Sequence, residues 1–122
     1  MDNNVKILRF KDGLDVICKV TEETIASIDI EDPMLFEVRN SNLMIQQWLP
    51  VATTKCNKVS IKHSDILFII EPNDNFKEYY EGLVSKINEV VEDHDIRNAS
   101  LDKIKKLMEE IESDVNGNQV VH

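Results

Sequence analysis

The sequence predicts a mainly β domain with a C-terminal helical extension. The domain reads as a small, strongly bent, five-stranded antiparallel barrel. Three observations predict it. Residues 5–72 alternate apolar and polar in short runs separated by turn signals. After Pro72 the apolar spacing changes to threes and fours, the period of a helix. The run Ile66, Leu67, Phe68, Ile69, Ile70 is apolar throughout and closes the strand-rich part. The chain therefore divides into a barrel over 1–72 and an acidic helical extension over 73–122.

Residues 5–11 form the first strand. Val5 and Ile7 share one face and Leu8 and Phe10 the other, so the register is ambiguous and burial on both faces is one reading. Asp12-Gly13 is a hairpin signal, because glycine tolerates positive φ. Residues 14–20 then alternate, with Leu14, Val16, Cys18 and Val20 opposed to Asp15, Ile17 and Lys19. After the polar break at 21–24, Ile28 and Ile30 mark a third strand, which Asp32-Pro33 interrupts. Met34, Phe36 and Val38 resume it on one face. Asn40, Ser41 and Asn42 make a turn, residues 43–49 another strand, and 51–58 a loop. Residues 59–72 complete the barrel. They divide into an outer part ending at Lys62 and a buried part over 66–70, with a kink or a bulge at Ser64-Asp65.

Asn73 or Asp74 can cap a helix over about 75–93. Phe76, Tyr79, Tyr80, Leu83, Val84, Ile87, Val90 and Val91 form one continuous stripe along it. A second helix, about 100–113, puts Leu101, Ile104, Leu107, Met108 and Ile111 on one side. Burying such stripes is worth ~1.5–3 kcal/mol per large side chain. They therefore pack on the barrel or on a neighbouring subunit.

The 122 residues amount to one domain's worth of chain. The net charge of −9 is concentrated in the extension, which carries −6 against −3 for residues 1–72. Such a balance disfavours broad nucleic-acid binding by charge, though not a local site. No apolar run is long enough to span a membrane, and no basic-then-apolar leader opens the chain. A cytoplasmic protein with free thiols at Cys18 and Cys56 is the expectation. The cysteines have no metal-ligand spacing, and the helical register separates Asp93, His94 and Asp95. No metal or other cofactor is expected. The scattered carboxylates show no acid–base pair, which argues against an enzyme. Trp48, beside Leu49-Pro50, reads as a packing anchor or as a platform for a base.

The hairpin Asp-Gly-Leu-Asp-Val-Ile-Cys-Lys-Val over 12–20 is similar to the one that opens the Sm-like fold. The stretch Ile-Lys-His-Ser-Asp-Ile-Leu-Phe-Ile-Ile over 61–70 resembles the second Sm motif, and its Lys62-His63 pair resembles the Lys-His element of the Hfq branch. Trp48 to Pro50 and the pair Tyr79-Tyr80 look most like the divergent Sm-like proteins of marine tailed phages. The resemblance implies a homo-oligomeric ring in which the fourth strand of one subunit pairs with the fifth of the next. Leu43, Ile45, Trp48, Ile66, Phe68 and Ile70 would then lie at subunit contacts. It also implies RNA as a partner, with Lys62 and His63 at the pore face. The family's uridine-binding Asp-x-x-x-Asn is absent after the second strand, where the sequence reads Thr-Glu-Glu-Thr-Ile-Ala-Ser over 21–27. The alternative is a non-enzymatic scaffold whose acidic helices bind a protein partner.

Overall fold

The computed structural model describes residues 4–51 and 53–94, together with Asp102, Lys105, Lys106, Glu109 and Glu110. One antiparallel sheet holds six strands: β1 (Val5–Phe10), β2 (Asp15–Glu23), β3 (Ser27–Arg39), β4 (Asn42–Gln47), β5 (Lys58–Lys62) and β6 (Ile66–Ile70). Helix α1 (Asp74–His94) follows. The strand order is β4-β3-β2-β1-β6, and β5 pairs with β3 beyond the end of β4. The mainly β class with a C-terminal helix is as the sequence predicts. Closure into a barrel is not observed. β5 is committed to β3 and β6 to β1, and among the described residues no ladder joins β6 to β4 or β5.

The bend of the sheet is made in β3. Its first half, Ser27 to Glu31, pairs with β5, and its second half, Met34 to Arg39, with β4. The expected break at Asp32-Pro33 is instead a sharp bend within one 13-residue strand. Asp32 takes a φ of 53°, a region open to aspartate at modest cost. Its neighbours satisfy every polar group it presents. Its N–H donates to the Asn57 carbonyl at 2.8 Å. Its carboxylate accepts from Asn57 Nδ2 at 3.3 Å and pairs with Lys19 at 3.7 Å. Its carbonyl accepts the Tyr80 hydroxyl at 2.7 Å. β2 follows the bend through register shifts at Ile17/Lys19 and Val20/Glu22.

The sheet is buried on both faces, which explains the double apolar face of β1. On the face away from α1, Leu8, Phe10, Val16, Cys18, Ile28, Ile30 and Ile66 form one core, the inner core. On the other face, in the outer core, Val5, Ile17, Met34 and Ile45 meet Tyr80, Leu83, Val84 and Ile87 of α1. The helix stripe read from the sequence is thus the second core, with Phe76, Tyr79, Val90 and Val91 at its margin. Asn73 caps the helix through Oδ1, which accepts the Phe76 N–H at 2.8 Å. Further on, Asp102, Lys105, Lys106, Glu109 and Glu110 are helical and exposed. The apolar side expected for that helix, Leu101, Ile104, Leu107, Met108 and Ile111, lies outside the described residues. Among the described residues no helix is long and apolar enough to cross a membrane.

Candidate nucleic-acid interface

Between β5 and β6 the chain makes a short 3-10 turn, His63–Asp65. This is the kink expected at Ser64-Asp65, and it sends Lys62 and His63 different ways. His63 is half-buried against the far end of β2, its Nε2 3.2 Å from a Glu23 carboxylate oxygen. Its N–H donates to the Ala26 carbonyl at 3.0 Å, which ties the turn to the β2–β3 connection. Lys62 ends β5 exposed and lines a separate groove of about 560 Å³.

That groove lies where the sheet fails to close. Phe10 and Trp48 form its apolar wall, with Ile61 beside them. The two rings meet edge to face, centroids 5.3 Å apart and planes at 61°. Trp48 packs against the inner core and is only half-buried. Lys11 and Lys62 supply positive charge, and Asp12 and Asp65 also face the space. The Asp12 carboxylate accepts the Leu14 N–H at 3.2 Å, so it serves the hairpin turn. The Lys11 N–H donates to the Asp65 carbonyl at 3.0 Å, which brings the β1 end beside the 3-10 turn.

The charge pattern sets this groove apart. Lys6, Arg9, Lys19, Arg39, Lys58 and His63 each lie against a carboxylate. Among the described residues Lys11 and Lys62 have no such partner, as is also true of the exposed Lys55 and Lys86, but Lys11 and Lys62 line one groove. A second groove of about 730 Å³, on the helix-bearing face, is lined by Leu14, Phe36, Val38 and Met44. Its cation, Arg9, is held by both carboxylate oxygens of Asp15, one at 2.8 Å from Nη2, and lies 5.3 Å from the Phe68 ring centre. Asp15 raises the Arg9 pKa further, so that charge is already matched. The first groove has free cations and the second does not.

The residues expected at subunit contacts separate into two groups. Ile45 and Ile66 are buried in the chain's own cores, and Trp48 is partly so. Leu43 is half-buried. Phe68 and Ile70 remain 40% and 49% exposed on β6, joined by Leu67 at 59%. Among the described residues the outer edge of β6 has no strand beside it, and neither do those of β4 and β5.

Among the described residues no group of three or more His, Cys, Asp or Glu side chains could hold a metal ion. The side chains of Asp93, His94 and Asp95 lie outside that description. Lys11 was not singled out by sequence reasoning. Its only local signal is its place before the Asp12-Gly13 turn, and the fold alone brings it to Lys62. No protein-family model matches the sequence, and no curated protein matches it.

Proposed function

We propose that the chain is the subunit of an Sm-like homo-oligomeric ring that contacts single-stranded RNA. One observation carries this reading: among the described residues the sheet ends in two unpaired edges of different character. β6 presents Leu67, Phe68 and Ile70, while β4 and β5 present the opposite margin. An exposed apolar edge strand invites a partner strand. Two different edges on one chain pair head to tail, and such pairing closes into a ring when the rotation per subunit allows it. RNA is the proposed ligand because Lys62 is exposed and without a carboxylate partner among the described residues. Repetition around a ring would multiply a modest site.

Size-exclusion chromatography with multi-angle light scattering tests the assembly. The expected result at micromolar concentration is one species, a whole multiple of the chain mass; a monomer overturns the ring. Fluorescence anisotropy with U-rich and A-rich RNA, at low and physiological salt, tests the ligand. Binding should weaken with salt and on Lys62→Ala/His63→Ala. No binding at low salt removes RNA from the proposal.

The exposed carboxylates Glu78, Glu81, Glu89 and Glu92 of α1 favour a second reading. They would suit a basic protein partner better than a phosphate backbone. In that case the ring is a scaffold and the helices recruit.

A further inference from the structure

We infer that the groove of Trp48, Lys11 and Lys62 is a binding site for one nucleotide unit of single-stranded RNA. The base stacks on the Trp48 indole and the phosphate lies between the two lysines. The inference rests on the RNA reading above and places the contact away from His63, whose ring is engaged by Glu23.

Three features of the groove support it. Its volume of about 560 Å³ is in the range that takes a ligand of nucleotide size. Trp48 is fixed by Phe10 at 5.3 Å, so a base would meet a held ring. Such stacking is worth ~1–3 kcal/mol per base and tolerates any base. Lys11 follows β1 and Lys62 ends β5, and neither lies within ion-pair distance of a described carboxylate, although Asp12 and Asp65 line the same groove. With Lys11 and Lys62 set against Asp12 and Asp65, the groove is formally neutral in a chain of net charge −9, so it repels a phosphate less than the acidic surface does. Asp12 is held by its hairpin turn, and Asp65 offers an acceptor to a ribose hydroxyl.

Trp48 is the only tryptophan of the chain, so its emission reports on this groove alone. The full chain is titrated with hexauridylate and hexaadenylate at low salt, following tryptophan emission, with anisotropy of labelled copies of the same oligomers in parallel. The expected result is saturable quenching that tracks the anisotropy. Lys11→Ala and Lys62→Ala should each weaken binding roughly 3–10-fold and lower the salt slope by about one. Lys55→Ala, an exposed lysine outside the groove, should stay within about twofold of wild type. RNA binding by anisotropy with unchanged tryptophan emission and unchanged Lys11→Ala affinity overturns the groove and leaves the RNA reading standing. A Lys55→Ala loss equal to that of Lys11→Ala also overturns it, as diffuse electrostatics. Quenching by UMP or AMP as strong as by the oligomers makes the groove a free-nucleotide site and overturns the RNA assignment. Absence of binding in both readouts removes this site and the RNA reading together.

Discussion

Cys18 and Cys56 occupy opposite environments, and the contrast has a measurable consequence. Cys18 is fully buried in the inner core and Cys56 is exposed. Burial pushes the Cys18 thiol from 9.0 up to about 12. Between those values the unfolded chain has released the proton and the folded chain still holds it. Stability must therefore fall as pH rises above 9. Tyr80, raised by burial and by nearby Asp32, acts in the same direction above 10. At pH 10.5 the thiol alone should cost ~2 kcal/mol relative to pH 8, from the linkage of pKa to stability. Urea unfolding at the two pH values should show a smaller loss in Cys18→Ala than in the wild type. Equal losses would rule out the thiol as the source. The sequence already showed the buried position of Cys18, because it alternates with Val16 and Val20 in a strand. The fates of Lys62 and His63 were not legible in the same way. They are neighbours in sequence, but a strand end followed by a 3-10 turn sends one to the groove and the other to Glu23. Adjacent residues in such a place share a motif without sharing a site.

At the scale of elements, β3 and α1 hold each other in place. Read locally, proline after aspartate ends a strand, and that reading misses the outcome here. The strand continues because the bent backbone finds partners in Asn57, Lys19 and Tyr80, which lie far away in sequence. No local pattern announces those partners. The helix itself was legible throughout, since its cap and its stripe are local and periodic features. Tyr80 is the link between the two: it lies in the outer core, and its hydroxyl donates to the carbonyl at the bend. Tyr80→Phe keeps the packing and leaves that carbonyl without its donor, a loss of ~1–3 kcal/mol. Tyr80→Ala adds a cavity and should cost ~3–5 kcal/mol. Both are measurable by urea unfolding followed by circular dichroism. A Tyr80→Phe protein as stable as the wild type would show that packing alone fixes the helix on the bend.

For the whole molecule, the open sheet decides between a monomer, a closed ring and an aggregate. The alternating strands pointed to a barrel, but alternation reports only which face is buried. It does not say which strands meet at the seam, and here the seam is left open, with half-buried Trp48 lining a groove there. Leu67 and Ile70 lie on the free β6 edge and are more than two-fifths exposed, so the monomer's cores do not depend on them. Lysine at both places puts charge on the edge, a device that natural edge strands use against pairing. Leu67→Lys/Ile70→Lys should therefore leave the circular dichroism spectrum unchanged while light scattering falls to the monomer mass. Dilution of the wild type separates the remaining possibilities. A closed ring keeps one mass over a tenfold range of concentration, because its last contact removes the last free edge. An open filament grows with concentration, because each added subunit presents a new β6. If the double-lysine protein keeps the wild-type mass, the β6 edge is not the assembly surface, and the head-to-tail ring is wrong.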